Sequence, residues 1–522
     1  MTHDIACIID EIRHLLMTLD TDGGLLTPSV YETAQVLRFC PDTSHPAGVA
    51  AWLLRQQEAD GGWGDPATPL YRAVPTAAAL LALVERAPQN VRTRQAVAAG
   101  IEAFATMAAH WQAPLPDDLP IAAELVLPQM LDAAQRSGLP LPTTHFEPLR
   151  QLGRRRRRLL ACMRPAAATA PLHSWEAWGR RPARALLDGS GGVGHCPAAT
   201  AWWLHLAQTR PHLRDRQAGA RAYLAAATSG SWPAQPGILP SAWPVQRFEM
   251  VFVLHTLLVA GILHDPRLAD VAAPLVGRLA GMVTPQGVGF SEHFAPDGDD
   301  TAAAVAVLAA SGRRGYDSAL APFQAADHFK AYPFELHHAP TVTARGACAL
   351  ALYGRDDRPW LDALAASQLP DGRWVGDKWN RSWLYTTAVV LHALSGGSHP
   401  AAARAGVRAF VSHQHADGGW SSRGPSSLQE SAYAVLALNT QRHSSAWDAP
   451  AEATWRRARA FLARHAAERG RLPERLWIHK ELYTPIRIDR AFLLSALLLA
   501  LESEMPASQH LPFENRPVRY DA

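Results

Sequence analysis

The chain is 522 residues long, 48% hydrophobic and 19% charged, with a formal net charge of +3 at pH 7. That balance gives no reason to expect nucleic acid or an anionic membrane as the main partner, and the length suits roughly two to four domains. The five cysteines (Cys7, Cys40, Cys162, Cys196, Cys348) are scattered without a Cys-x-x-Cys pair. Their pattern argues against a zinc site or a disulfide scaffold and for reduced thiols in a cytoplasm.

In chain order, a helix is predicted over residues 4–18, ending at Asp22-Gly23-Gly24, and a second after Thr27-Pro28-Ser29. No basic segment followed by an apolar one opens the chain, so no signal peptide is expected. Helix-period apolar segments then alternate with Gly- and Pro-containing turns almost to the end, and strand-like alternation is scarce. The fold class is all-α. The apolar runs 251–261 and 491–501 are too short to span a bilayer and read as buried helices.

The pattern Gln-x-x-Asp-Gly-x-Trp recurs at Gln57…Trp63, Gln368…Trp374 and Gln414…Trp420, with degenerate copies at Asp188-Gly189-Ser190 and Gln286-Gly287-Val288-Gly289-Phe290. Asp-Gly makes a tight turn, the Trp can pack on helix ends and the Gln can bond the turn. Such repeats stack helix pairs, and a stack closed on itself is an α-toroid with a central cavity. Between residues 113 and 171 the chain turns Pro-rich and carries five consecutive arginines, Arg154 to Arg158. This composition shift predicts a boundary between a smaller and a larger helical domain.

In the middle, Asp297-Gly298-Asp299-Asp300-Thr301-Ala302 opens a predicted apolar helix. One aspartate there would be an ordinary N-cap; three within four residues exceed what capping needs. Crowded carboxylates repel, so in a dry site at least one keeps its proton, while the helix dipole pulls the other way. A strong acid therefore requires burial as well as crowding. From these residues alone, capping and acid catalysis both stand.

This cluster, with the Gln…Trp repeats, resembles the class II terpene cyclases, and specifically the bacterial copalyl diphosphate synthase type. Tyr31-Glu32-Thr33-Ala34, Leu172-His173-Ser174-Trp175-Glu176, Cys196-Pro197-Ala198-Ala199-Thr200-Ala201, Asp377-Lys378-Trp379 and Leu476-Trp477-Ile478-His479-Lys480 are similar to segments of that family in the same order. The resemblance implies two α-toroids in a βγ arrangement with substrate between them: an initial helix, 1–25, packing with the β domain, a γ domain at 26–170 and a β domain at 171–522. It implies that Asp299 protonates the terminal double bond of a prenyl diphosphate, with Asp297 and Asp300 tuning it, and that the diphosphate stays attached. Electron-rich, non-nucleophilic walls suit the cations formed; candidates by position are Trp203, Trp243, Trp379, Trp383, Tyr385, Tyr433 and Phe290, although a buried aromatic is often simply core. In plant ent-copalyl enzymes a His and an Asn hold a water as base; the matching positions here are His173 and Ser241. Mg2+ would be bound through Glu124, and Lys378, Lys480 and the arginine run ending at Arg158 are candidates for the diphosphate.

No Asp-Asp-x-x-Asp motif of the ionising class I cyclases occurs, since Asp117-Asp118 and Asp356-Asp357 lack the last carboxylate. The pair His337-His338 lacks metal-ligand spacing. The expectation is a magnesium-dependent cytoplasmic diterpene cyclase, an isomerase acting on geranylgeranyl diphosphate to give a bicyclic copalyl-type diphosphate for a separate class I synthase. Farnesyl diphosphate, giving a drimenyl-type product, is the second substrate considered, because bulky Trp243 and Trp383 would shorten the cavity. A homodimer is compatible with the chain. A glycosidase needs two carboxylates about 5–10 Å apart across a bond, which tight clustering suits poorly. Squalene-type cyclisation and a non-catalytic helical scaffold complete the alternatives.

Overall fold

The computed structural model describes residues 2–42, 45–116, 118–333, 335 and 338–502; Asp117 and His337 lie outside them. Six helices, Gln246–Val259, Gly298–Ala310, Pro340–Leu352, Trp383–Leu394, Leu428–Gln441 and Ile486–Glu502, each contact the next, and the last returns to the first. They are apolar on nearly all faces, which is what an inner ring wrapped by outer helices requires. The outer layer includes Ala269–Met282, Arg358–Ala366, Pro400–Ser412 and Ala449–His465. The initial helix Thr2–Met17 closes it, packing between Ile486–Glu502 and Ala269–Met282. A second, smaller ring runs through Val30–Phe39, Pro69–Arg86, Ala123–Arg136, the short Trp175–Trp178 and Pro197–Ala207, which packs back on Val30–Phe39.

Each ring has its own apolar core. Ile8 to Leu26 share one core with Ala242 to Ala500, so the initial helix packs with the later domain. The expected break at 170 is corrected, because Leu172 to Leu239 pack in one core with Val30 to Leu149 and the division lies between Leu239 and Ala242. The arginine run lies on the outer helix Glu147–Ala161, which buries only Leu149 and Gly153. Its composition reflects exposure, not a domain edge.

The repeats explain how the rings hold together. Trp63, Trp374 and Trp420 each donate an indole N–H to a carbonyl in the last turn of the preceding outer helix, Leu53, Leu364 and Phe410, at 2.7, 2.7 and 2.9 Å. Such carbonyls have no partner within their own helix. Gln57, Gln368 and Gln414 each bridge their own turn to the following outer helix, at Ala96, Ala402 and Thr454. Gly418 at φ 95° fits the left-handed turn between them, with its neighbour Arg457 leaving no space for a Cβ. All three Trp residues are fully buried.

A two-stranded hairpin, Trp477–Ile478 with Leu482–Tyr483, joins the rings. Ile478 and Leu482 pack on Tyr71 of the γ side, and the Ile121 amide donates to the His479 carbonyl at 2.8 Å. Among the described residues no helix is long and apolar enough to cross a membrane.

Candidate active site

The helix Gly298–Ala310 starts with Asp297 as its N-cap, whose Oδ1 accepts from the amides of Asp299 and Asp300 at 3.0 and 2.8 Å. Gly298 is required there, since a Cβ would lie 2.1 Å from the Lys330 carbonyl. That close approach brings Tyr332 beside the carboxylates, where burial and their charges push its hydroxyl pKa far up. The capping reading is thus right for one aspartate and leaves two unexplained.

All three carboxylates are buried, Asp297 at 3%, Asp299 at 8% and Asp300 at 1% exposure. Burial, aided by the Asp299 charge, pushes Asp297 up to about 8, against the amides it accepts from. Burial and both neighbours push Asp300 well above the carboxylate range. Burial outweighs the helix dipole, and the cluster holds protons at neutral pH. Asp299, the most accessible of the three, accepts a hydrogen bond from Arg345 Nη1 at its Oδ1, 2.7 Å away. Arg345 also donates to the Tyr385 hydroxyl at 2.5 Å and lies 4.7 Å over the Phe252 ring. The Asp299 carboxyl thus faces a buried guanidinium. Arg345 was missed from sequence; the available signal was one arginine inside the Ala- and Thr-rich helix Pro340–Leu352.

Aromatic rings continue from this point. Tyr385 stacks edge-on against Tyr433, Trp477 and Phe492 at 5.2, 5.1 and 6.0 Å, and Trp477 meets Phe248 and Phe252 at 6.0 and 5.9 Å. Phe248 leads to Phe290 at 5.3 Å, and Phe290 to Phe294 at 5.6 Å. Tyr385, Tyr433 and Phe290 are therefore brought together in one run of rings, while Phe248, Phe252 and Trp477 went unrecognised. The Trp477 indole is held by Asp489 at 2.9 Å. Trp379 lies at the rim, with Lys378 Nζ 4.4 Å from its ring centre. Its segment is pinned by Asp377, which accepts from the amides of Trp379 and Asn380 at 3.1 Å each.

Three expected wall residues are elsewhere. Trp383 turns outward at its helix start onto Phe410, His413 and Arg373. Trp243 packs on Tyr223 and against Gly23 and Gly230. Trp203 is core, its indole bonded to the Ala183 carbonyl.

The seam between the rings carries the remaining candidates. Lys480 is buried with its three N–H bonds directed at Glu32, Glu176 and Cys196, at 2.9, 2.7 and 2.9 Å. No donor is left for a diphosphate, which corrects that expectation. Arg158 is exposed; Arg156, two residues earlier, turns inward to Glu124 at 3.4 Å. Burial holds Glu124 above the usual carboxylate range, opposed by Arg156. Lys378 is ion-paired with Glu335, while burial and the Arg156 guanidinium act against its charge. Among the described residues no three His, Cys, Asp or Glu side chains converge as a cation cage. The carboxylate present there is Glu124, ion-paired with Arg156.

His173 bonds through Nδ1 to the Ala170 carbonyl at 2.8 Å, so Nδ1 carries the hydrogen. Burial and the Lys480 charge pull its pKa down to about 4, leaving a neutral ring. Ser241 is buried, and no hydrogen bond joins it to His173.

No protein-family model matches the chain. It is 42% identical over 513 residues to the (+)-kolavenyl diphosphate synthase of Herpetosiphon aurantiacus, covering 95% of this chain and 98% of that one. It is 31% identical over 504 residues to the ent-copalyl diphosphate synthase of a Streptomyces species, covering 91% and 92%. Among solved structures, ent-copalyl diphosphate synthase from Streptomyces platensis matches with a TM-score of 0.77 at 27% identity, over 94% of this chain and 99% of that one. A buried, proton-holding carboxylate cluster opening on aromatic rings is what protonation of an alkene demands. Together with relatives that match from end to end, it establishes that the chain belongs to the class II terpene cyclases of the copalyl diphosphate synthase type.

Proposed function

We propose that this diterpene cyclase converts geranylgeranyl diphosphate into a bicyclic copalyl-type diphosphate without cleaving the diphosphate. The observation that carries the reading is the Asp299 carboxyl, buried between two proton-bearing aspartates and paired with Arg345. An alkene is a weak base, so the acid must be preorganised and shielded from water. Asp299 donates the proton, Arg345 and Tyr385 stabilise the carboxylate left behind, and Asp297 and Asp300 return a proton to it. The rings of Tyr385, Trp477 and Phe252 offer π-faces to the migrating positive charge. His173, neutral with Nε2 as its lone-pair nitrogen, accepts the proton that ends the cascade.

Lys378 and Arg156 are the cationic side chains best placed for the diphosphate, with Arg158 and Lys480 set aside. Glu124 would hold Mg2+ together with phosphate oxygens, and the ion would supply neutralisation of the head group. The farnesyl alternative loses its support, because Trp243 and Trp383, which were to shorten the cavity, stand outside the aromatic cluster. A product that keeps its diphosphate is a substrate for an ionising class I enzyme.

Purified protein is incubated with geranylgeranyl or farnesyl diphosphate, the products are dephosphorylated, and the alcohols are identified. A bicyclic C20 alcohol with no release of inorganic diphosphate is the expected result. Turnover of farnesyl diphosphate alone, or release of diphosphate, would overturn the reading.

A further inference from the structure

A second histidine faces His173 across the seam. His479, on the β-side hairpin, has its ring 5.9 Å from that of His173 on the γ side. Both rings keep some accessible surface. His173 Nε2 and His479 Nδ1 are nonetheless enclosed and have no hydrogen-bond partner among the described residues. Burial and the Lys480 charge hold both imidazoles neutral. Two enclosed, unpartnered ring nitrogens on rings 5.9 Å apart at the seam suit a bound water, which needs two or more polar partners to be held. The site continues into the aromatic cluster, since His479 meets Tyr483 at 6.2 Å and Tyr483 meets Trp477 at 6.5 Å.

We propose that His479 is a water-positioning residue, which with His173 holds the water that removes the final proton from the cyclised cation. The inference rests on the cyclase reading and replaces Ser241 as the second anchor. In the step, a C–H bond next to the cationic carbon breaks and its electron pair forms the C=C bond. The proton passes to the water oxygen while the water gives one of its own to His173 Nε2. His479 fixes the water by its remaining hydrogen bond, so the water meets one particular C–H and does not add to the cation through oxygen. The hairpin is attached to the γ domain by the His479 carbonyl, by Ile478 and Leu482 on Tyr71 and by Lys480 on Glu32 and Glu176, while the His479 ring adds only its edge contact with His173. The ring can therefore be changed without releasing the seam.

The test compares product profiles from geranylgeranyl diphosphate for wild type, His479→Ala, His479→Asn and Ser241→Ala, with consumption of substrate read separately. For His479→Ala, the ratio of the wild-type product to double-bond isomers and hydroxylated diphosphates is expected to fall about tenfold while substrate is still consumed. His479→Asn, which keeps a hydrogen-bonding group, should recover most of the wild-type ratio. A wild-type profile from His479→Ala, or a shift confined to Ser241→Ala, would overturn the inference while leaving the cyclase reading intact. Wild-type protein that fails to cyclise would instead remove the reading beneath it.

Discussion

Among the described residues two of the buried carboxylate clusters differ in the supply of hydrogen bonds, not in burial. In the seam, Glu32 accepts from Lys480 through one oxygen and from the Ala198 amide, at 2.7 Å, through the other. Glu176 accepts from Lys480 and from the Tyr31 hydroxyl at 2.8 Å. In the β ring three carboxylates face one guanidinium, and the side chain of Asp300 meets only the Asp297 carboxyl, with no N–H donor to either oxygen among the described residues. All five carboxylates are at or below 8% exposure. Ample donors turn the first cluster into a brace between domains, whereas scarcity makes the second retain protons, which is what the proposed acid requires.

Arg345→Met sharpens the contrast most. Removing the group that receives the developing Asp299 carboxylate should lower turnover about 10²–10³-fold, read as kcat on geranylgeranyl diphosphate. Unchanged turnover would mean that Arg345 is only a structural pair. Lys480→Met attacks the other cluster. It strips two buried carboxylates of their shared cation and should cost about 3–5 kcal/mol of stability by chemical denaturation. The folded fraction should still give the wild-type product.

The acid cluster also sets a pH window. Asp297 is raised by burial to about 8, so the folded chain holds a proton that the unfolded chain gives up near its ordinary value of about 4. Its contribution to stability is present below that ordinary value and is lost as pH rises through about 8. Turnover should fall over the alkaline part of this range, because the proton reservoir empties. A rate profile flat from neutrality to well above 8 would separate the reservoir from catalysis. The smallest effect is expected at the repeats. Gln414→Ala removes the bridge from its own turn to Thr454 and should cost about 1 kcal/mol, visible as a small drop in Tm without loss of activity.

What could be read from sequence was what sequence keeps together. The three repeats carry turn, indole and bridge within seven residues, so their geometry was legible. The Asp297–Asp300 cluster sits on one helix start, and its dependence on burial could be argued before any fold was seen. Arg345 and Trp477 reach the site only because the six-helix ring closes, which brings positions 46 and 178 residues beyond Asp299 onto the same ring, Tyr385. Trp383 was misplaced because position in a motif does not fix which way a helix start faces; its ring turns to Phe410 and His413, away from the rings around Tyr385. The boundary was misjudged because a Pro- and Arg-rich stretch marks an exposed outer helix as readily as a linker.

The central claim is tested most directly by Asp299→Asn, which keeps shape and burial and removes the transferable proton. Incubated with geranylgeranyl diphosphate, the variant should unfold at close to the wild-type temperature while cyclisation falls by about 10³-fold or more. Undiminished formation of bicyclic product by that protein would contradict the account.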